Sequence, residues 1–75
     1  MEEIIIGGIY KHYKSKTNTY KIIGIAKNSL DLSDMVVYEA QYENTLAKLW
    51  ARPVADFLGE VLIDGKKVKR FEKVG

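Results

Sequence analysis

"LWARPVADFLGEVLIDGKKV", residues 49–68, is the stretch that decides how this chain folds. Near its end, Asp64-Gly65 stands between two apolar runs and predicts a two-residue hairpin turn, because both central positions of that turn want φ > 0. Its middle, residues 53–59, reads as one turn of helix. Pro53 lacks the N–H that a central strand needs but suits the opening of a helical turn, and Gly59 closes it. The residues before Pro53, "KLWAR" (48–52), read as a short fourth strand. Strands five and six follow from the hairpin, the last running to about Phe71.

Outward from there, "MVVYEAQY" (35–42) alternates as a half-buried third strand. Val36, Tyr38, Ala40 and Tyr42 point one way, and Val37, Glu39 and Gln41 the other. "GIYKHYK" (8–14) and "YKIIGIAK" (20–27) are rich in β-branched and aromatic residues and read as strands one and two, with "SKTNT" as the turn between them. "NSLDLSD" (28–34) is a polar loop. Gly24 inside the second strand reads as a bend or bulge, and Gly7-Gly8 as a flexible lead-in. The expected fold is all-β: a small SH3-like barrel of five to six short, mostly antiparallel strands, with one helical turn (about 53–58) before the last hairpin. An OB-type barrel needs more chain and a longer helix.

The 75 residues allow one small β-barrel domain, 1–75 with its core at about 8–72, and a chain this short buries only roughly 60 % of the surface its unfolded form exposes. With no Cys and a single His, neither a disulfide nor a thiolate or His-based zinc site is expected, and no metal or cofactor. "MEEIIIGG" carries acids where a secretory signal carries positive charge, and no apolar run is long enough to span a membrane. A cytoplasmic protein is expected.

The net charge of +2 says little, but its distribution says more. Lys11, Lys14, Lys16, Lys21 and Lys27 oppose only Glu2 and Glu3 in the first segment; Asp31, Asp34, Glu39 and Glu43 oppose Lys48 in the middle. The tail is basic again through Lys66, Lys67, Lys69, Arg70 and Lys73. If the two ends pair in space, the basic segments merge into one patch; otherwise they are the Lys-rich edges with which sheets protect themselves.

Chemistry is sought first on the fourth strand. Lys48, Trp50 and Arg52 share a face, so if Ala47, Leu49 and Ala51 form the core side, the only Trp stands among cations. It is then a platform for stacking a base, a sugar or a side chain; the alternative is a ring that closes one end of the core. Arg52 is either a donor to an anion or a base edge, or a structural fork binding a carboxylate such as Asp56. His12, between Tyr10 and Tyr13 in sequence environment, has no Ser or Cys motif to make it half of a nucleophilic pair. Tyr10, Tyr38 and Tyr42 can join Trp50 in an aromatic cluster bordered by cations, or belong to the core.

Taken in order, "GIYKHYK", "YKIIGIAK", "VVYEAQY", "LWARPVADF" and "DGKKVKRF" resemble domain-of-unknown-function family 1653, a set of small bacterial proteins and domains. The resemblance covers residues 8–71. It rests most on Gly8, Tyr10, His12, Tyr13 and Lys14, on Val37, Tyr38 and Tyr42, on Leu49, Trp50, Arg52, Pro53 and Phe57, and on Arg70-Phe71. It implies a small β-barrel and supplies no reaction. Where family members make a short Lys-Gly turn after the first strand, this chain has "KSKTNT"; where they carry a second His after the second strand, it has Lys27-Asn28.

The resulting expectation is a non-enzymatic binding module whose Tyr10, His12, Tyr38, Trp50 and Arg52 face holds a polar, anionic or nucleotide-like ligand. Its partner is a small ligand, a nucleic acid or a protein, and the chain itself is a monomer or weak dimer. The alternative is a protein-interaction or accessory domain, driven by apolar Val37 on an otherwise polar face and by an open strand edge. An enzyme using His12 comes last.

Overall fold

The β-rich pattern of the sequence is realised as two antiparallel sheets in the computed structural model, which describes residues 4–15, 17–43 and 46–75. Of the charges and turn residues read above, Glu2, Glu3 and Lys16 lie outside the described residues. The strands are β1 (Ile9–His12), β2 (Thr19–Lys27), β3 (Asp34–Ala40), β4 (Leu49–Pro53), β5 (Glu60–Ile63), β6 (Lys66–Lys69) and β7 (Phe71–Lys73), with one short helix, α1 (Val54–Phe57), between β4 and β5. The larger sheet runs β4-β3-β2-β1-β7, and β5-β6 is a separate ribbon.

The all-β class is as expected, but the strands do not close into a barrel. The reason lies at Arg70. Its N–H donates to the Gly59 carbonyl at 3.0 Å, tying the two ends of the ribbon together and ending β6. The chain then resumes as β7 against β1, with His12 opposite Phe71, so what reads as one long sixth strand is two. Among the described residues the ribbon pairs only with itself, and α1 covers β3 and β4 in its place. The hairpin turn itself is as predicted: Asp64 and Gly65 have φ of 51° and 78°.

β1·β7 pairing brings the two ends of the described chain together, with Ile9 N–H donating to Gly75 O at 3.0 Å and Val74 N–H to Ile9 O at 2.8 Å. Gly7-Gly8 is not a loose lead-in. Gly7 has φ +85°, its N–H donates to Ile22 O at 2.8 Å, and Gly8 is buried so tightly that an added Cβ would stand 2.9 Å from Ile5 O. Gly24 fulfils its reading: the β2·β3 register slips between Ile22 and Gly24, a bulge.

The core gathers on one face of the large sheet. Ile22, Val36 and Phe57 are almost wholly buried, joined by Tyr10, Tyr38 and Phe71. Phe57 and Phe71 stack with centroids 4.2 Å apart and planes 8° from parallel. Thus α1, although only four residues long, delivers the ring that seals the core. Among the described residues, no helix is long and apolar enough to cross a membrane.

β4 corrects a face assignment. Leu49, Ala51 and Pro53 are exposed, whereas Trp50 and Arg52 point inward beside Tyr38 and Val36, their partners in the β3·β4 register. The small apolar residues are therefore the outer face. An arginine is tolerated inside because its charge is met there: Arg52 Nη1 lies 2.8 Å from Asp56 Oδ2, and its guanidinium carbon lies 5.3 Å over the Phe71 ring.

Candidate functional site

Because β4 turns Trp50 and Arg52 inward, a hollow of about 230 Å³ opens on the core face of the sheet. Its lining is His12 from β1, Tyr20 from β2, Tyr38 from β3, Tyr42 just beyond β3, Trp50 and Arg52 from β4, and Phe71 from β7. Every strand of the larger sheet contributes, so the spacing of these groups is set by the hydrogen-bond ladder rather than by a loop.

The aromatic walls hold one another. Tyr20 meets Tyr38, Tyr42 and Phe71 edge-on at centroid distances of 5.3, 5.5 and 6.0 Å. The hydroxyls of Tyr20 and Tyr42 share a hydrogen bond of 2.8 Å. Burial, and then that bond, push the Tyr20 phenol up, so it stays neutral and keeps a hydroxyl at the rim. Trp50 packs against the core while its indole N–H donates to Ala47 O at 3.1 Å. The ring is thereby fixed by an edge, leaving its position in the hollow defined.

Arg52 is the charged group of the lining. Burial disfavours its charge, but hydrogen bonding with Tyr38 and Asp56 and their electrostatic support outweigh this and hold it protonated beyond its usual range. Asp56 is also bound to the tail: its backbone carbonyl accepts from Arg70 Nε at 3.1 Å, and its carboxylate lies 3.8 Å from Arg70 Nη2. α1 therefore clamps two arginines, one from each side. Asp56 stands behind Arg52 and does not line the hollow, and none of the described lining residues is a carboxylate.

His12 borders the hollow with its ring edge-on to Phe71 at 5.0 Å. Its Nδ1 accepts the Lys14 backbone N–H at 3.2 Å, which leaves the proton of the neutral ring on Nε2. Burial, then the charges of Arg52, Lys14 and Arg70, push its pKa down. At neutral pH it is an uncharged donor. Among the described residues, no group of three or more His, Cys, Asp or Glu is placed to hold a metal ion.

Of the residues singled out in sequence, His12, Tyr38, Trp50 and Arg52 come together in this hollow, joined by Tyr42 of the expected aromatic cluster. Tyr10 does not. It is a core residue, edge-on to Phe57 at 5.4 Å, with its hydroxyl accepting from Ile5 N–H at 3.3 Å. For Trp50 and Arg52 the structural alternative is realised, Trp50 packing against the core and Arg52 forming the fork on Asp56, and both also line the hollow. Tyr20 and Phe71 were not singled out as site residues. Tyr20 was readable, since it is two residues from Ile22 on the same strand face; Phe71 was not, because its strand starts afresh after Arg70.

The model of the family described as a protein of unknown function (DUF1653) matches residues 8–73. The crystal structure of a DUF1653 protein from Bordetella bronchiseptica superposes with a TM-score of 0.81 at 26 % identity, over 92 % of this chain and 86 % of that one. A search of curated proteins found no match. The hollow lies wholly within the matched segment, and the chain belongs to the DUF1653 family.

Proposed function

We propose that the chain is a binding module whose hollow takes a flat, anionic, nucleotide-like ligand. One observation carries the reading: a guanidinium faces an aromatic-walled cavity whose described lining holds no carboxylate. Tyr20, Tyr42 and Trp50 offer faces for a ring, and Arg52 and the Nε2–H of His12 offer donors for an anion. The same guanidinium repels a methylated lysine, which an aromatic cage would otherwise suit. Binding is favoured over catalysis because Nδ1 of His12 is occupied by a backbone N–H, so no carboxylate orients the ring as a base. The absence of cysteine is compatible with a cytoplasmic setting.

Titration with uridine 5′-monophosphate and with benzoate, followed by Trp50 fluorescence and backbone NMR shifts, tests this. Saturable shifts at His12, Tyr20 and Trp50 are expected, and Arg52→Gln should weaken binding about tenfold, as loss of one charge-assisted contact does. No response at Trp50 to either probe would remove the proposal.

A second reading, self-association, is favoured by the outer face of the large sheet. There Leu49, on the β4 edge, is 56 % exposed and Ile23, at the β2 bulge, 46 %, with half-buried Val37 on β3 between these strands. Light scattering across a concentration series decides it: a constant monomer mass rejects association through this face.

A further inference from the structure

On the opposite side of β1 lies a second hollow, of about 210 Å³, lined by Lys11, Tyr13, Ser15, Val68, Lys69 and Glu72. Two lysines face it from different strands. Its carboxylate, Glu72, reaches Lys11 only at 3.7 Å, with the Lys11 side chain partly and the Glu72 side chain largely exposed, so the pair is weak and an incoming anion can compete for Lys11.

The two hollows meet at one ridge. Successive residues of a strand normally face opposite sides of a sheet. β1, however, ends at His12, and Ser15 N–H donates to His12 O at 2.9 Å, turning the chain there. The rings of His12 and Tyr13 consequently lie 4.6 Å apart, one lining each hollow. Lys14 Nζ stands 5.8 Å from the Tyr13 ring centre. Cations and aromatic residues thus line both hollows, Arg52 on one side of the ridge and Lys11 and Lys69 on the other, and the charges of Arg52, Lys14 and Arg70 reach the His12 ring, adding to burial in lowering its pKa.

A cavity of this size accepts one base-sized ring, while the cationic path continues past it. The ligand chemistry that supplies a ring and then a further anion is a nucleotide chain: aromatic faces take bases and lysines take phosphates. We infer that the two hollows are adjacent subsites for a short single-stranded nucleic acid, with one base beside Trp50 and Arg52 and the neighbouring phosphate carried across the His12–Tyr13 ridge to Lys11 and Lys69. This rests on the reading of the first hollow given above.

The test compares hexauridylate, uridine 5′-monophosphate and tripolyphosphate by Trp50 fluorescence and NMR shifts. Hexauridylate should bind about tenfold or more tighter than the mononucleotide, with affinity falling as salt rises, and should shift both His12 and Lys69. The double variant Lys11→Gln/Lys69→Gln should remove most of that advantage and leave the mononucleotide unaffected; Lys11→Glu/Lys69→Glu should remove it entirely. Both lysine positions are surface positions, and NMR dispersion confirms folding. Equal affinities for hexamer and mononucleotide, or equal weakening of both by the variants, would overturn the inference while leaving the single-ring hollow standing. Tripolyphosphate binding as tightly as the hexamer, or hexamer shifts confined to Lys66 and Lys67, would overturn it in favour of bare charge attraction. Silence of Trp50 toward all nucleotides and benzoate would remove both proposals.

Discussion

β3 and β4 lie side by side in register, yet their alternation is used in opposite ways. On β3 the apolar set Val36, Tyr38 and Ala40 is buried, as a half-buried strand should be. On β4 the small apolar set Leu49 and Ala51 faces outward, and Trp50 with Arg52 faces in. The difference teaches that alternation assigns residues to two faces without saying which is inside. Two features outside β4 make that choice. Asp56, one helical turn on, neutralises Arg52, and Phe71, from the far end of the chain, lies beneath its guanidinium. The larger ring of Trp50 also has more apolar area to bury than Leu49 or Ala51.

Substitutions can break this comparison. Phe57→Ala should have the largest effect, a loss of about 3–5 kcal/mol measured by urea unfolding, since it removes the ring that stacks on Phe71 and seals the core. Val36→Ala, on the buried face of β3, should cost about 2 kcal/mol, two methyl groups and the space they leave. Asp56→Ala should cost about 1 kcal/mol, because the pair with Arg52 is partly exposed, and should raise the mobility of both Arg52 and Arg70 in side-chain NMR. Ala51→Lys should change stability by less than about 0.5 kcal/mol, as at other exposed sites; a large loss would mean that the faces of β4 are reversed.

The smallest effect concerns His12. Its pKa is lowered in the folded chain from an ordinary 6.5, so as pH falls below that value the unfolded chain takes up the proton first. Stability should therefore decline as pH drops below about 6.5 and level off once the folded ring is also protonated, with no contribution above it. Comparing urea midpoints at about pH 7.5 and 5 should show a smaller decline for His12→Gln than for the unaltered chain; an equal decline would place the acid sensitivity elsewhere.

Legibility in sequence followed the range of the interaction. The Asp64-Gly65 turn, the bulge at Gly24, the helical turn after Pro53 and the buried face of β3 are decided within a few residues, and each is found where local chemistry puts it. The Arg70 break, the sheet that stays open and the tight packing at Gly8 are decided by distant partners. Gly59 fixes the first, and Ile22, bonded to both Gly7 and Gly8, holds the lead-in against β2, where Ile5 then packs on Gly8. The hollow was legible in part for the same reason. His12, Tyr38, Trp50 and Arg52 stand out as residue types, but Phe71 joins them through β1·β7 pairing, and Tyr10 leaves them because its ring meets Phe57 in the core.

By itself, then, the amino-acid sequence determined an all-β chain without cysteine, its turns, its helical corner and the inventory of aromatic and cationic groups from which a site can be made. Tertiary structure alone decided which face of β4 is inside, that the ribbon stays apart from the larger sheet, and that one guanidinium stands among Tyr and Trp rings. The physical reason is that φ preferences and period-two alternation are properties of neighbouring residues. Whether a charge tolerates the interior depends instead on where a carboxylate from another element arrives, and here Asp56 arrives beside Arg52.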